Sequence, residues 1–142
     1  MRLTTIAAAA LLAGSLALAG CGKKSGVEGK TGDEITAKSS NDDIGEAYLN
    51  ELGRIATALE SIDDEASAKK AAKEINAASE GLNAMKEELG DLDGLRAVQI
   101  FGSRLSEMTR TQQRISVAMS DLYSNHPEYA ELVGDEIDRL ND

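Results

Sequence analysis

One cysteine, Cys21, one histidine, His126, and the three methionines beyond Met1, namely Met85, Met108 and Met119, are the residues of this 142-residue chain whose side chains suit a soft metal. Carboxylates are plentiful, but those on helical stretches fall mostly on polar faces, where solvated charge is the ordinary role. A metal or haem site on His126 would need partners. It stands beside Pro127, where a capping or solvent-facing role is expected. The methionines recur at helical spacing among apolar residues, which makes them core fillers before copper ligands. Asp91-Leu92-Asp93-Gly94 lacks the alternating acids and the distant Glu of a calcium loop and reads as a turn. No phosphate-binding Gly-rich loop, nucleophile elbow or His-Glu-x-x-His motif occurs. The residues predict no enzyme, no cofactor and no metal centre.

Cys21 has a different context. Met1-Arg2 is a short positive start, and Ile6 to Leu18 is an apolar run of Ala, Leu and Gly, shorter than the roughly 20 residues of a membrane-spanning helix. It ends Leu18-Ala19-Gly20-Cys21. This segment resembles the signal peptide and lipobox of bacterial lipoproteins, over about the first 22 residues. The resemblance implies cleavage between Gly20 and Cys21, a diacylglycerol on the Cys21 thiol, and a further acyl chain (palmitate or similar) on the freed amine. Each buried CH2 of such chains contributes about 0.8 kcal/mol to anchoring. Gly22 and Lys23 follow, as in lipoproteins sent to the outer membrane. The periplasmic face of that membrane is the implied address.

Three segments follow: 1–20 as a cleaved signal peptide, 21–41 as the lipidated Cys and a disordered tether, and 42–142 as one helical domain. Residues 22–41 are Gly, Ser, Lys and acid with almost nothing apolar, too little to offset ordering entropy. Their r.m.s. reach as a coil is about 25 Å. The domain is expected to hover near the membrane and not to lie on it.

Beyond residue 41 the apolar residues recur every three or four positions. Ile44, Tyr48, Leu52, Ile55, Leu59 and Ile62 form one stripe, and Ala68, Ala71, Ile75, Ala78, Leu82, Met85 and Leu89 a second. Val98, Phe101, Leu105, Met108, Ile115, Met119 and Leu122 form a third, broken by Gln112, and Tyr129, Val133, Ile137 and Leu140 a fourth. This spacing is the bundle and coiled-coil repeat. Asn41-Asp42-Asp43 and Asp63-Asp64-Glu65 can cap the first two helices. Gly90 to Gly94 and Ser124 to Pro127 break the chain. The fold class read from this pattern is all-α: an antiparallel bundle of three long helices, the third of about 30 residues, plus a short C-terminal helix.

Gln112 is read either as a buried register-setting amide or as a residue at the stripe's edge. Gly53, Gly81, Gly102 and Gly134, inside the helices, mark either close approaches or tolerated weak points. Arg110 and Arg114 are expected to pair with acids of the last helix, such as Asp135 and Asp138, and so help dock it.

The formal net charge is −10. Loss of Arg2, the one charged residue in 1–20, makes the mature chain −11. Such a chain repels phosphate backbones, and nucleic-acid binding is not expected. Two families are similar only in outline. The exported b-type cytochromes are four-helix bundles with one Met and one His on haem, but His126 lies off the apolar stripe. The murein lipoprotein shares anchor and periodicity, but it is one unbroken helix ending in Lys, whereas this chain ends Leu140-Asn141-Asp142, and peptidoglycan attachment is not supported. What remains is a noncatalytic helical interaction module of the cell envelope, its partner another envelope protein. The alternative is a periplasmic helical bundle that binds a small ligand, haem or metal.

Overall fold

The computed structural model describes residues 29–138, which are all-α: a short 3-10 turn at Gly32–Glu34, then α1 (Asn41–Glu60), α2 (Glu65–Leu89), α3 (Gly94–Phe101), α4 (Leu105–Asn125) and α5 (Pro127–Asp138). The starts of α1, α2 and α3 follow side-chain caps. The Ser40 hydroxyl accepts from the Asp43 N–H, one residue before the expected cap, and Asp64 and Asp93 accept from the N–H groups of Ser67 and Arg96. Gly90, at φ +60°, ends α2 in a conformation that a side chain would strain.

The α1 and α2 stripes are buried or half-buried throughout, from Ile44 to Ile62 and from Ala68 to Leu89. The two helices run in opposite directions. Glu51 lies beside Gly81, and Arg54 reaches Glu74. The helix α4 runs along α1 in the same sense, since Arg104 pairs with Asp42 and Arg114 with Glu60. The last helix, α5, packs chiefly on α2 and less on α4, through Ala130 and Val133.

Two apolar clusters result. The larger joins Leu52, Ile55 and Leu59 of α1 to Ala71, Ile75 and Ala78 of α2, with Leu122 and Val133 beyond. The smaller sits at the N-terminal end of α1, where Ile35, Ile44, Ala47, Met85 and Ile100 meet. Tyr48 and Phe101 meet at its edge with their rings tilted and centroids 5.1 Å apart.

Three expectations need correction. The third helix is not one rod of about 30 residues. It tightens into a 3-10 turn at Gly102–Arg104 that separates α3 from α4. Gly102 is the weakest helix former in that stretch, and there the chain changes ladder. The stripe also turns by one position: Leu105 and Gln112 are exposed, while Thr111 and Ala118 are buried. Gln112 is therefore not a buried amide.

The end of the expected tether is built into the fold. Thr31, Gly32 and Ile35 are buried, with Ile35 in the smaller cluster. The sequence there has almost no apolar residues, but the segment is held by backbone fit and by a buried carboxylate.

Candidate functional site

Gly32 enters a gap between α1 and α2 that only glycines leave open. A methyl on Gly32 would run into the backbone of Gly81, and one on Gly81 into the carboxylate of Glu51. Glu51 has no exposed side-chain surface. It accepts from the Gly32 N–H at 2.7 Å and from Arg54 Nη1 at 2.7 Å. Arg54 also reaches Glu74 at 3.5 Å, and its buried Nε has no hydrogen-bond partner among the described residues. Outside this knot, Asn50 Nδ2 donates to the Lys30 carbonyl at 2.9 Å, and Lys30 pairs with Asp43 at 2.5 Å. The hydrogen bond to Lys30 holds Asp43 below the usual carboxylate range, and the same bond raises Lys30.

Across the molecule, α1, α2 and the α3–α4 arm leave an open cleft of about 440 Å³. Ile44, Tyr48, Leu82, Met85, Phe101 and Met108 make its walls, with Asn83, Lys86 and Asp91 at the lining's polar positions. Its volume lies within the range that small-molecule sites occupy. Chemically it can hold an apolar body and offer an ammonium and an amide at the rim. A second hollow of about 410 Å³ follows the α1–α4 seam beside Leu59, Arg110, Arg114, Val117 and His126.

Arg114 grips Glu60 along one edge of its guanidinium, Nε to Oε1 at 2.9 Å and Nη2 to Oε2 at 2.6 Å, and Nη2 also approaches the Thr57 hydroxyl at 3.4 Å. This hydrogen-bonded pair lowers Glu60 and raises Arg114 from their ordinary values. Arg104 Nη2 donates to Asp42 at 2.5 Å. Arg104 and Arg114 thus bind α1. The expected pairing of Arg114 with α5 acids is corrected, because Glu60 occupies it; the side chains of Asp135 and Asp138 lie outside the described residues.

His126 caps α4, half-buried, with its ring stacked on Tyr129 at 5.8 Å. Met85 belongs to the smaller cluster, while Met108 and Met119 pack on the larger. Among the described residues no group of three or more His, Cys, Asp or Glu side chains is placed to hold a metal. Asp91 to Gly94 is a connection, its Asp93 serving as the α3 cap. No described helix is long and apolar enough to cross a membrane. Gly20 and Cys21 lie outside the described residues. The reading of the sequence missed the Glu51 knot, though one signal was present: Glu51 stands three residues after Tyr48 and four before Ile55, an acid on the apolar face.

The chain matches no family model, and neither the curated proteins nor the solved structures yield a match.

Proposed function

We propose that this chain is a bacterial lipoprotein precursor, cut between Gly20 and Cys21 and acylated on Cys21, whose helical domain is a noncatalytic interaction module of the cell envelope. The observation that carries the reading is Leu18-Ala19-Gly20-Cys21 at the end of an apolar run, with the chain's only thiol at the acceptor position. The domain behind it is an antiparallel helical bundle, held on the periplasmic face of the outer membrane, that meets another envelope protein. Two or three acyl chains suffice for stable anchoring, where one is marginal. Cys21→Ser should leave an uncut precursor that incorporates no labelled fatty acid. A mutant that still takes up the label overturns the reading.

The cleft favours one second reading, in which an apolar small molecule binds between α1, α2 and α3. Its walls offer Met85 and Met108 but no histidine, since His126 lines the other hollow. An apolar guest therefore suits it better than haem. Absorbance and mass analysis of the natively purified protein would detect either guest.

A further inference from the structure

Leu95, Val98 and Leu105 are 71%, 67% and 55% exposed. With Gly102 they recur at three, four and three residues, along one outward face of α3 and the start of α4. Gly102 adds no side chain to interrupt it. The opposite face of the same segment supplies Ile100 and Phe101 to the smaller cluster. α3 is therefore apolar on two sides, and only one of them is covered within the described residues.

The uncovered side lies at the end where the described chain begins. The first turns of α1 hold α3 on one flank, through Asn41 to Gln99 at 3.3 Å, Asp42 to Arg104, and the contact of Gly45 with the Ile100 carbonyl. On another flank they hold the entering segment, through Asp43 to Lys30 and Asn50 to the Lys30 carbonyl. From Gly29 back to Cys21 is eight residues, which can span at most about 28 Å. Because residues 31–35 are bound to the domain, the leash is far shorter than a free 22–41 would give.

Charge agrees. Residues 94–120 carry Arg96, Arg104, Arg110 and Arg114 against Glu107 alone, a net +3 in a chain of −10. No ion pair engages Arg96 or Arg110 among the described residues. Arg96 adjoins Leu95 on this face, whereas Arg110 stands farther along, in the α1–α4 hollow with Val117. An apolar patch with an arginine beside it suits the headgroup region of an anionic bilayer.

We propose that the Leu95–Val98–Leu105 face is the domain's membrane-contacting surface, seated on the same bilayer that holds the acylated Cys21. The proposal rests on the lipoprotein reading above. Three apolar side chains and Arg96 are a weak binding surface for a free domain of net −11. The anchor changes this, because a short tether raises the effective concentration of surface and bilayer to about the millimolar range. The domain then has a defined orientation, with the far end of α1 and α4 turned away from the membrane.

The test uses the full chain, processed and lipidated, in vesicles of phosphatidylethanolamine and phosphatidylglycerol. Acylation blocks the Cys21 thiol, so Val98→Cys and Val117→Cys each provide one site for a fluorophore. Val117 is nearly as exposed as Val98, at 62%, but stands 19 residues further on, about 28 Å along the helices. Lipids spin-labelled near the headgroup should quench the Val98 probe several-fold more than the Val117 probe. Adding Leu105→Glu should relieve the difference while the protein still floats with the vesicles and keeps its helical dichroism. Equal quenching, or none, in protein that floats overturns the contact and leaves the anchor standing. Protein that does not float and carries no acyl mass overturns the anchor, and the contact with it. A disulfide-linked dimer of unlabelled Val98→Cys would mean that a second copy covers this face, which also overturns the proposal.

Discussion

The seam between α1 and α2 and the seam between α1 and α4 are built on opposite terms. In the first, alanines and glycines let the helices approach, and Ala68, Ala71, Ile75 and Ala78 are almost wholly buried. Its charges, Glu51 and Arg54, are inside. In the second, α4 contributes only Thr111, Ala118 and Leu122 as buried residues, and its charges pair in the open at either end. Side-chain size at the contact decides between the two. Small residues bring backbones close enough to exclude water, and a polar group caught there must be paired. Around Arg104 and Arg114 the helices leave water access, so pairing is optional. The first seam should therefore respond steeply to single changes and the second only slightly.

Glu51→Ala should produce the largest loss. It leaves the Arg54 guanidinium, with only 10% of its surface exposed, to a single long contact with Glu74, and removes the acceptor of the Gly32 N–H. Breaking a buried pair from one side costs about 3–5 kcal/mol. Set against a typical domain stability of about 5–15 kcal/mol, that approaches unfolding. Denaturant titration would measure it. Glu51→Gln keeps an acceptor and should lose less. If Glu51→Ala costs no more than a change at Arg114, the two seams do not differ as described.

Two glycine substitutions sharpen the contrast within α1 and α2 themselves. At Gly81 a methyl meets the Glu51 carboxylate, whereas at Gly53 it meets nothing within 4 Å. Gly81→Ala should destabilise by about 1–3 kcal/mol through overpacking. Gly53→Ala should stabilise by about 0.5–1 kcal/mol, because alanine loses less backbone freedom in a helix. Opposite signs in paired thermal melts are the expected result. A gain at both sites would mean that Gly32 does not need the gap.

The same contrast governs how much of the fold could be read from the residues. The α1 and α2 stripes were legible because their apolar residues are the buried ones. The third stripe was half legible. Phe101, Met108, Ile115, Met119 and Leu122 belong to it, but Arg104 and Thr111 take the places expected for Leu105 and Gln112, and Ala118 is buried beside Met119. Both choices alternate three and four, so spacing alone cannot separate them. Hydrophobicity pointed to the wrong set, since Val98 and Leu105 are apolar and exposed while Thr111 is polar and buried. The packed segment at residues 31–35 was illegible for a related reason. It is held by a glycine fit and a carboxylate from α1, and neither leaves a periodic mark in the local sequence. The cleft, too, exists only where three separate segments meet.

The smallest expected effect lies in the Arg114–Glu60 pair, and its pH dependence tests whether that seam is as open as it looks. Both side chains are 40% exposed. Solvent screening therefore discounts the pair to the range of exposed ion pairs, about 0–1 kcal/mol, despite its two-bond geometry. The Arg114 hydrogen bond holds the folded-state pKa of Glu60 below its unfolded value. With that sign, the contribution is complete above the unfolded carboxylate range, about pH 4.3, and is lost as pH falls through the lower folded value. Asp64 is lowered in the same direction by the Ser67 N–H at the α2 cap, and Asp43 by Lys30. Acid should thus erode stability in wild type from below about pH 4. Arg114→Ala should lower stability slightly at pH 7 and converge with wild type as Glu60 becomes protonated, because the mutant has already lost that share. About 1 M salt at neutral pH should narrow the same gap by screening. A gap of several kcal/mol that persists in salt would place the pair out of water's reach, and the α1–α4 seam would then resemble its neighbour.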